Sequence, residues 1–140
     1  VKIKIPQKKF AVIVAAHNES AVIAPLIENL KTLDYPKELY DIYVIADNCT
    51  DNTAEIASNA GAIVCRRIDE TKKSKGYALD WMFERLFEME KSGKVYDAVV
   101  IFDADNLVQH VEESAVPFEF FFQSTSFGVR HFAQYCSAFG

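Results

Sequence analysis

The stretch "AVVIFDADNLV" (residues 98–108) carries an apolar run that closes on Asp103, Ala104 and Asp105. Residues i and i+2 of an extended segment point to the same side. Asp103 and Asp105 would therefore set two carboxylates together. Such a pair repels, and each group raises the other's pKa, unless a cation sits between them. Hard oxygen ligands with a phosphate nearby suit Mg²⁺ or Mn²⁺. The blander alternative is an Asx-turn with solvated carboxylates. It is disfavoured by how apolar the preceding run is.

Three other stretches place polar groups after apolar runs. "ADNCTD" (residues 46–51) puts Asp47 where an acidic residue can hydrogen-bond a base or ribose. Helix capping is the alternative, but Asn48, Thr50, Asp51 and Asn52 already supply more caps than one helix needs. "AAHNES" (residues 15–20) offers His17, Asn18 and Glu19, read either as a nucleoside contact or, for Glu19, as a helix cap. It contains no glycine, so the G-x-G-x-x-G dinucleotide fingerprint is excluded. In "TKKSKG" (residues 71–76), Lys72 and Lys73 fit ordinary surface solvation. Lys75-Gly76 immediately precedes a helical pattern, and a lysine beside a helix N-terminus suits a diphosphate.

These groups need a scaffold that brings four strand ends to one edge. Residues 10–16, 41–47, 62–67 and 97–103 are near-continuous apolar runs, as expected of parallel strands covered on both faces. Between them lie helical patterns. One starts at Ser20, with Ile23, Leu26, Ile27, Leu30 and Leu33 on one face, and ends before Pro36. The next has Asn52 and Glu55 spaced as a capping box and stops at Gly61. The third runs from about Gly76 to Lys91 with Leu79, Met82, Phe83 and Leu86 on its face, and Gly93 follows. The order β-α-β-α-β-α-β predicts an α/β fold: a doubly wound, mostly parallel sheet with helices on both faces. In such sheets, ligands bind beyond the carboxyl ends of the strands.

The chain has 140 residues, enough for one domain with a core, and a formal net charge of −5. An acidic chain is a poor polyanion binder, so no nucleic-acid partner is expected. Three cysteines without a CxxC or Cys/His cluster argue against a disulfide framework or zinc site and suggest a reducing compartment, hence a cytoplasmic location. The N-terminal "VKIKIPQKKF" lacks the apolar core of a signal peptide. No run approaches the ~20 apolar residues of a membrane span. These residues are expected to be soluble, with membrane attachment only through parts absent from this chain. Residues 109–140 differ from the rest: they contain no Asp or Lys and seven of the eleven Phe. They are read either as an edge strand plus a short helix or as an atypical aromatic-rich tail foreign to the fold.

Taken together, "AHNES…ADNCTDNT…KGYALDW…VVIFDADNLV" resembles the nucleotide-binding half of inverting family 2 glycosyltransferases with a GT-A fold. It looks closest to the exopolysaccharide-synthesis branch related to cellulose and hyaluronan synthases. The resemblance covers residues 10–108 and implies that residues 1–108 are a nucleotide-sugar-binding GT-A subdomain with a Rossmann-like, truncated sheet. It implies that Ala15, Ala16, Asn18, Glu19, Asp47 and Asn48 hold the nucleoside, with Asp47 on the base, usually uracil. Lys75 and Gly76 would lie beside the ribose and diphosphate. Asp103-Ala104-Asp105 would be the DxD motif, with Asp103 and Ala104 at the sugar or ribose and Asp103 and Asp105 at an Mn²⁺ or Mg²⁺ ion.

The implied partners are a nucleotide-sugar donor and a carbohydrate or lipid-linked acceptor. The implied reaction is a single displacement at the anomeric carbon. The chain departs from the family after Asp105, where the acidic motif that supplies the general base is not found. The expectation is a donor-binding fragment without transferase activity, of a protein whose full-length relative works at the inner face of the plasma membrane. A non-catalytic nucleotide-binding module is the alternative. A haloacid-dehalogenase-type phosphatase also places Asp-x-Asp after an apolar strand, but that fold starts with the motif.

Overall fold

A computed structural model describes residues 8–104 and 132–134. Along the chain run β1 (Phe10–Ala16), α1 (Ile23–Leu30), β2 (Tyr40–Asp47), α2 (Thr53–Asn59), β3 (Ile63–Arg67), α3 (Lys75–Lys91), β4 (Ala98–Asp103) and β5 (Phe132–Gln134). The strands form one sheet in the order β3-β2-β1-β4-β5. Every pair is parallel. The chain thus winds outward from β1 to β3, then crosses to the far side of β1 to enter β4. That crossover makes a doubly wound fold, with a topological switch between β1 and β4.

Alternation along the strands divides the core. Val12, Val14, Ile42, Val44, Val100 and Phe102 pack under α1 and α2 with Ile23, Leu26, Ile27 and Leu30. Ala11, Ile13, Tyr43, Ile45, Val99 and Ile101 face α3, against Ala78, Met82 and Leu86. Both faces being dry explains why the strands read as continuous apolar runs.

The helix ends differ from the sequence reading in instructive ways. α1 begins at Ile23, not Ser20. The Glu19 carbonyl accepts from the Val22 and Ile23 amides at 3.1 and 3.0 Å. Pro25 falls in the first turn, where its missing N–H would have had no helical partner. The Asn52–Glu55 capping box does not form, because Asn52 makes no side-chain cap bond. Asp51 Oδ1 accepts from the Thr53 amide instead, at 3.0 Å. α3 starts at Lys75, one residue early, because Ser74 Oγ accepts from the Tyr77 amide.

α2 stops as read, at Gly61. With φ at 103°, Gly61 lets its own amide reach the Ser58 carbonyl and the Ala62 amide reach Ala57, at 3.0 and 3.1 Å. This is a Schellman closure, and it needs the left-handed residue. Gly93 (φ 98°) ends α3 by the same pair of bonds, to Glu90 and Met89. The only part of the aromatic tail among the described residues is β5, level with Val99–Ile101 of β4.

Candidate functional site

Four strand ends meet at the carboxyl edge of the sheet. In the β1–β4 register Ala15 lies opposite Asp103, and in the β2–β3 register Asp47 lies opposite Arg67. The second of these pairings builds the centre of the site. Arg67 Nη1 donates to Asp47 Oδ1 at 2.6 Å, and both residues are buried, at 5% and 8% exposure. Removing two charges from water is costly unless they are paired and further bonded. Arg67 meets that condition by donating a second bond, from Nη2 to the Lys72 carbonyl at 2.8 Å, with Asp69 Oδ2 also 3.7 Å away.

Short polar side chains tie the surrounding loops to this pair. Asn18 and Asn48 hold left-handed φ angles of 51° and 49°, a conformation Asn tolerates better than most residues. Asn18 Oδ1 accepts from the Thr50 and Asp51 amides at 2.8 and 3.3 Å, joining the β1 and β2 loops. Asn48 Oδ1 accepts from the Asp69 amide at 2.9 Å, joining the β2 and β3 loops. His17 Nδ1 donates to the Asp47 carbonyl at 2.8 Å. Because a carbonyl can only accept, this bond places a proton on Nδ1. Fully buried Thr53 accepts from the Glu19 amide at 2.9 Å and donates its hydroxyl to Asp51 Oδ1 at 2.5 Å.

These bonds set the acidities. The Thr53 hydroxyl, with smaller help from the Thr53 amide and Ser20, pulls the Asp51 carboxyl below the usual aspartate range. Thr71 does the same for Asp69. Burial pushes the Cys49 thiol up, which makes it a poor nucleophile.

The residues singled out in the sequence fall as follows. Asn18, Glu19, Asp47 and Asn48 come together at the edge, with Glu19 bonding through its backbone. Ala15 is half-buried, whereas Ala16 and Ala104 are buried at 3% and 0% exposure. Ala16 and Ala104 belong to the core beneath α1 and α2. Their methyl groups are therefore core atoms, and only their backbone can meet a ligand.

Lys75 and Gly76 form the first turn of α3 rather than preceding it. A Cβ built on Gly76 would find only Ser74 Oγ, at an ordinary 3.8 Å, so local crowding does not account for the glycine. Asp103 ends β4 at the same edge, and Asp105 lies outside the described residues. Among the described residues no group of three or more His, Cys, Asp or Glu is assembled for a metal.

Arg67, Thr53 and Asp69 were missed from sequence. Arg67 carried a readable signal: it is the charged last residue of an apolar strand, as Asp47 and Asp103 are.

The family described as "Glycosyltransferase like family 2" matches residues 6–137. A beta-monoglucosyldiacylglycerol synthase of Nostoc is 36% identical over 100 residues, covering 68% of this chain and 20% of that protein. The chain thus spans about a fifth of the length of that curated relative. Glucosyl-3-phosphoglycerate synthase of Mycobacterium tuberculosis, solved with Mn²⁺, UDP and phosphoglyceric acid, superposes with a TM-score of 0.51 at 26% identity. The match covers 69% of this chain and 33% of that one. The mannosyltransferase PcManGT of Pyrobaculum calidifontis, solved with GDP-Man and Mn²⁺, has the same fold, with a TM-score of 0.57 at 22% identity. That match covers 71% and 28% of the two chains.

Proposed function

The chain belongs to the glycosyltransferase like family 2, and from that premise we propose that its carboxyl edge binds a nucleoside-diphosphate sugar, the donor for transfer to a carbohydrate or lipid-linked acceptor. The observation that carries this reading is Asp47. It is a buried carboxylate, held through Oδ1 by Arg67, on the edge where ligands enter such sheets. A fixed carboxylate only accepts hydrogen bonds. It therefore favours a base with a ring N–H on its pairing edge, such as uracil N3–H or guanine N1–H, over cytosine or adenine, which offer there an exocyclic amino group beside a ring nitrogen that is itself an acceptor and repels the carboxylate. UDP is our first choice, and GDP is the competitor that the chemistry of Asp47 leaves open.

In this reading Asn18 and Asn48 hold the loops around the nucleoside, and Lys75 with the α3 N-terminus faces the diphosphate. Asp103, ending β4 level with Ala15, and Asp105 would hold Mn²⁺ or Mg²⁺, for which hard carboxylate oxygens beside phosphates are suitable donors. Such an ion, when bound, offsets charge on the leaving diphosphate. Sugar transfer would be a single displacement by the acceptor hydroxyl, with inversion. The unpaired thiols of Cys49 and Cys65 support a cytoplasmic setting.

Calorimetric titration with UDP, GDP, CDP and ADP, with and without Mn²⁺, tests the proposal. UDP or GDP should bind in a metal-dependent way, and Asp47→Asn should remove the base preference. Absence of binding by every nucleoside diphosphate would sink it. A transfer assay with labelled UDP-sugar then separates donor binding from turnover.

A further inference from the structure

The β3–α3 connection carries a feature that donor binding does not use. Ile68 is 84% exposed, the highest exposure among the large hydrophobic residues described. It is held out by its neighbours. Arg67 is buried in its pair with Asp47, and the Asp69 amide is tied inward to Asn48 Oδ1 at 2.9 Å. With the backbone anchored on both sides, the Ile68 side chain has no route into the core. The next residues are held as well. Asp69 Oδ1 accepts from Thr71 Oγ1 and from the Thr71 and Lys72 amides, at 2.8, 2.9 and 3.1 Å. Arg67 Nη2 holds the Lys72 carbonyl.

Further along, Tyr77 is 48% exposed, and Lys72 Nζ stands 5.9 Å from its ring centroid. Arg66, Lys72, Lys73 and Lys75 are exposed in this segment, with Asp69 and Glu70 the acids beside them. The excess of cations is local, since the whole chain carries −5.

An aliphatic side chain and lysines on the loop, with an aromatic bearing a polar tip in the first turn of α3, match the chemistry of a lipid–water interface. There apolar groups enter the acyl boundary, and lysines pair with anionic headgroups. A nucleic-acid backbone would use the lysines but would leave Ile68 without a partner. We propose that the β3–α3 loop docks on the surface of a bilayer containing anionic lipid, with Ile68 as the inserted group and Lys72 and Lys73 as the headgroup contacts. Among the described residues no helix is long and apolar enough to cross a membrane, so the association is interfacial. It would bring the carboxyl edge of the sheet to the membrane face, whereas the sequence reading placed any membrane contact outside this chain.

Cosedimentation of the full chain with vesicles tests this, using phosphatidylcholine alone or phosphatidylcholine with phosphatidylglycerol. Binding should require phosphatidylglycerol and weaken with salt. The double variant Lys72→Ala/Lys73→Ala should lose roughly thirtyfold in partition, at about fivefold for each lysine near an anionic surface. Ile68→Ser should lose roughly tenfold, with unchanged far-UV circular dichroism and unchanged UDP affinity. The inference fails if anionic vesicles do not sediment the chain, if neutral vesicles do so equally, or if both variants bind like the parent. Because Ile68 makes no part of the proposed donor site, a failure here leaves UDP binding standing, and a failure of UDP binding leaves this result standing.

Discussion

The two edges of the sheet solve the same problem in opposite ways. Each holds a carboxylate from β2 in a network of hydrogen bonds. At the amino edge, Tyr96 donates to Asp41 Oδ2 at 2.5 Å, and the Tyr43 and Tyr96 hydroxyls are 2.5 Å apart. Their rings meet edge to face at 6.0 Å and 88°. Lys94 and Lys9 cover the assembly, Lys94 3.9 Å from Asp41 and Lys9 5.3 Å from the Tyr96 ring centroid. The polar tips there sit on large apolar bodies buried beneath α3, and they bond to one another. At the carboxyl edge, Asp47 and Arg67 are surrounded by short side chains whose partners are mostly loop backbone. The first edge is a core with its polar atoms closed. The second is a set of loops held in place by polar atoms, with little apolar body beneath them. Damage to the first should therefore appear as lost stability, and damage to the second as lost ligand affinity as well.

The largest expected effect tests whether the carboxyl edge also contributes stability. Arg67→Ala leaves Asp47 buried without its counterion and should cost about 3–5 kcal/mol in denaturant unfolding. The double variant Asp47→Asn/Arg67→Met should recover much of that loss, because the uncompensated charge is gone, yet still fail to bind UDP. Recovery of both properties together would erase the distinction between the edges.

At the amino edge, Tyr96→Phe removes a donor from Asp41 and a partner from Tyr43, and should cost about 1–3 kcal/mol with UDP affinity intact. Reduced UDP affinity at unchanged stability would reverse the assignment. An intermediate effect is expected of Asn18→Ala, which deletes the acceptor for two loop amides and puts a Cβ-bearing residue that lacks the Asn side-chain bonds at φ 51°. It should lower stability by about 1 kcal/mol and nucleotide affinity by more. Asn18→Gly should recover the backbone part of the stability loss but not the affinity.

The smallest effects come from pH, and they act on opposite edges. The Asp51 and Asp69 carboxyls lie below their ordinary range in the fold, through Thr53 and Thr71. The unfolded chain therefore binds protons first as pH falls. Their contribution is full above about pH 4 and is lost through the lower folded values. Burial, then the bond to Asp41, raises the Tyr96 hydroxyl well above the tyrosine range. Its contribution is present below about pH 10 and declines as the pH rises beyond that. Thr53→Val should flatten the acid limb of a stability–pH curve, and Tyr96→Phe the alkaline limb. A variant that moved the other limb would break the comparison.

Much of the fold was legible because burial on both faces writes itself into composition. The β1 run matched its strand at both ends, and the other three runs missed by a single residue at their starts. Helix starts were less legible. The cap that formed at α2 came from Asp51, with Thr53 bridging back to Glu19 across the sheet edge, a partner 34 residues away. Asp47, Asn18 and Asn48 could be placed at the carboxyl edge because each follows an apolar strand, but the bonds by which Asn18 and Asn48 tie the loops together could not be read. Arg67 was not read, because its meaning depends on lying opposite Asp47 in a neighbouring strand.

The sequence by itself determined the elements, their order and the edge at which polar strand ends gather, since periodicity and strand-end polarity are local properties of the chain. Tertiary structure alone decided which polar groups share a proton or a charge. The parallel register puts Arg67 beside Asp47. The switch between β1 and β4 puts Asp103 level with Ala15, and the turn of the β3–α3 loop leaves Ile68 outside. Each of these is a distance between residues far apart in sequence, and only the packed sheet fixes such distances.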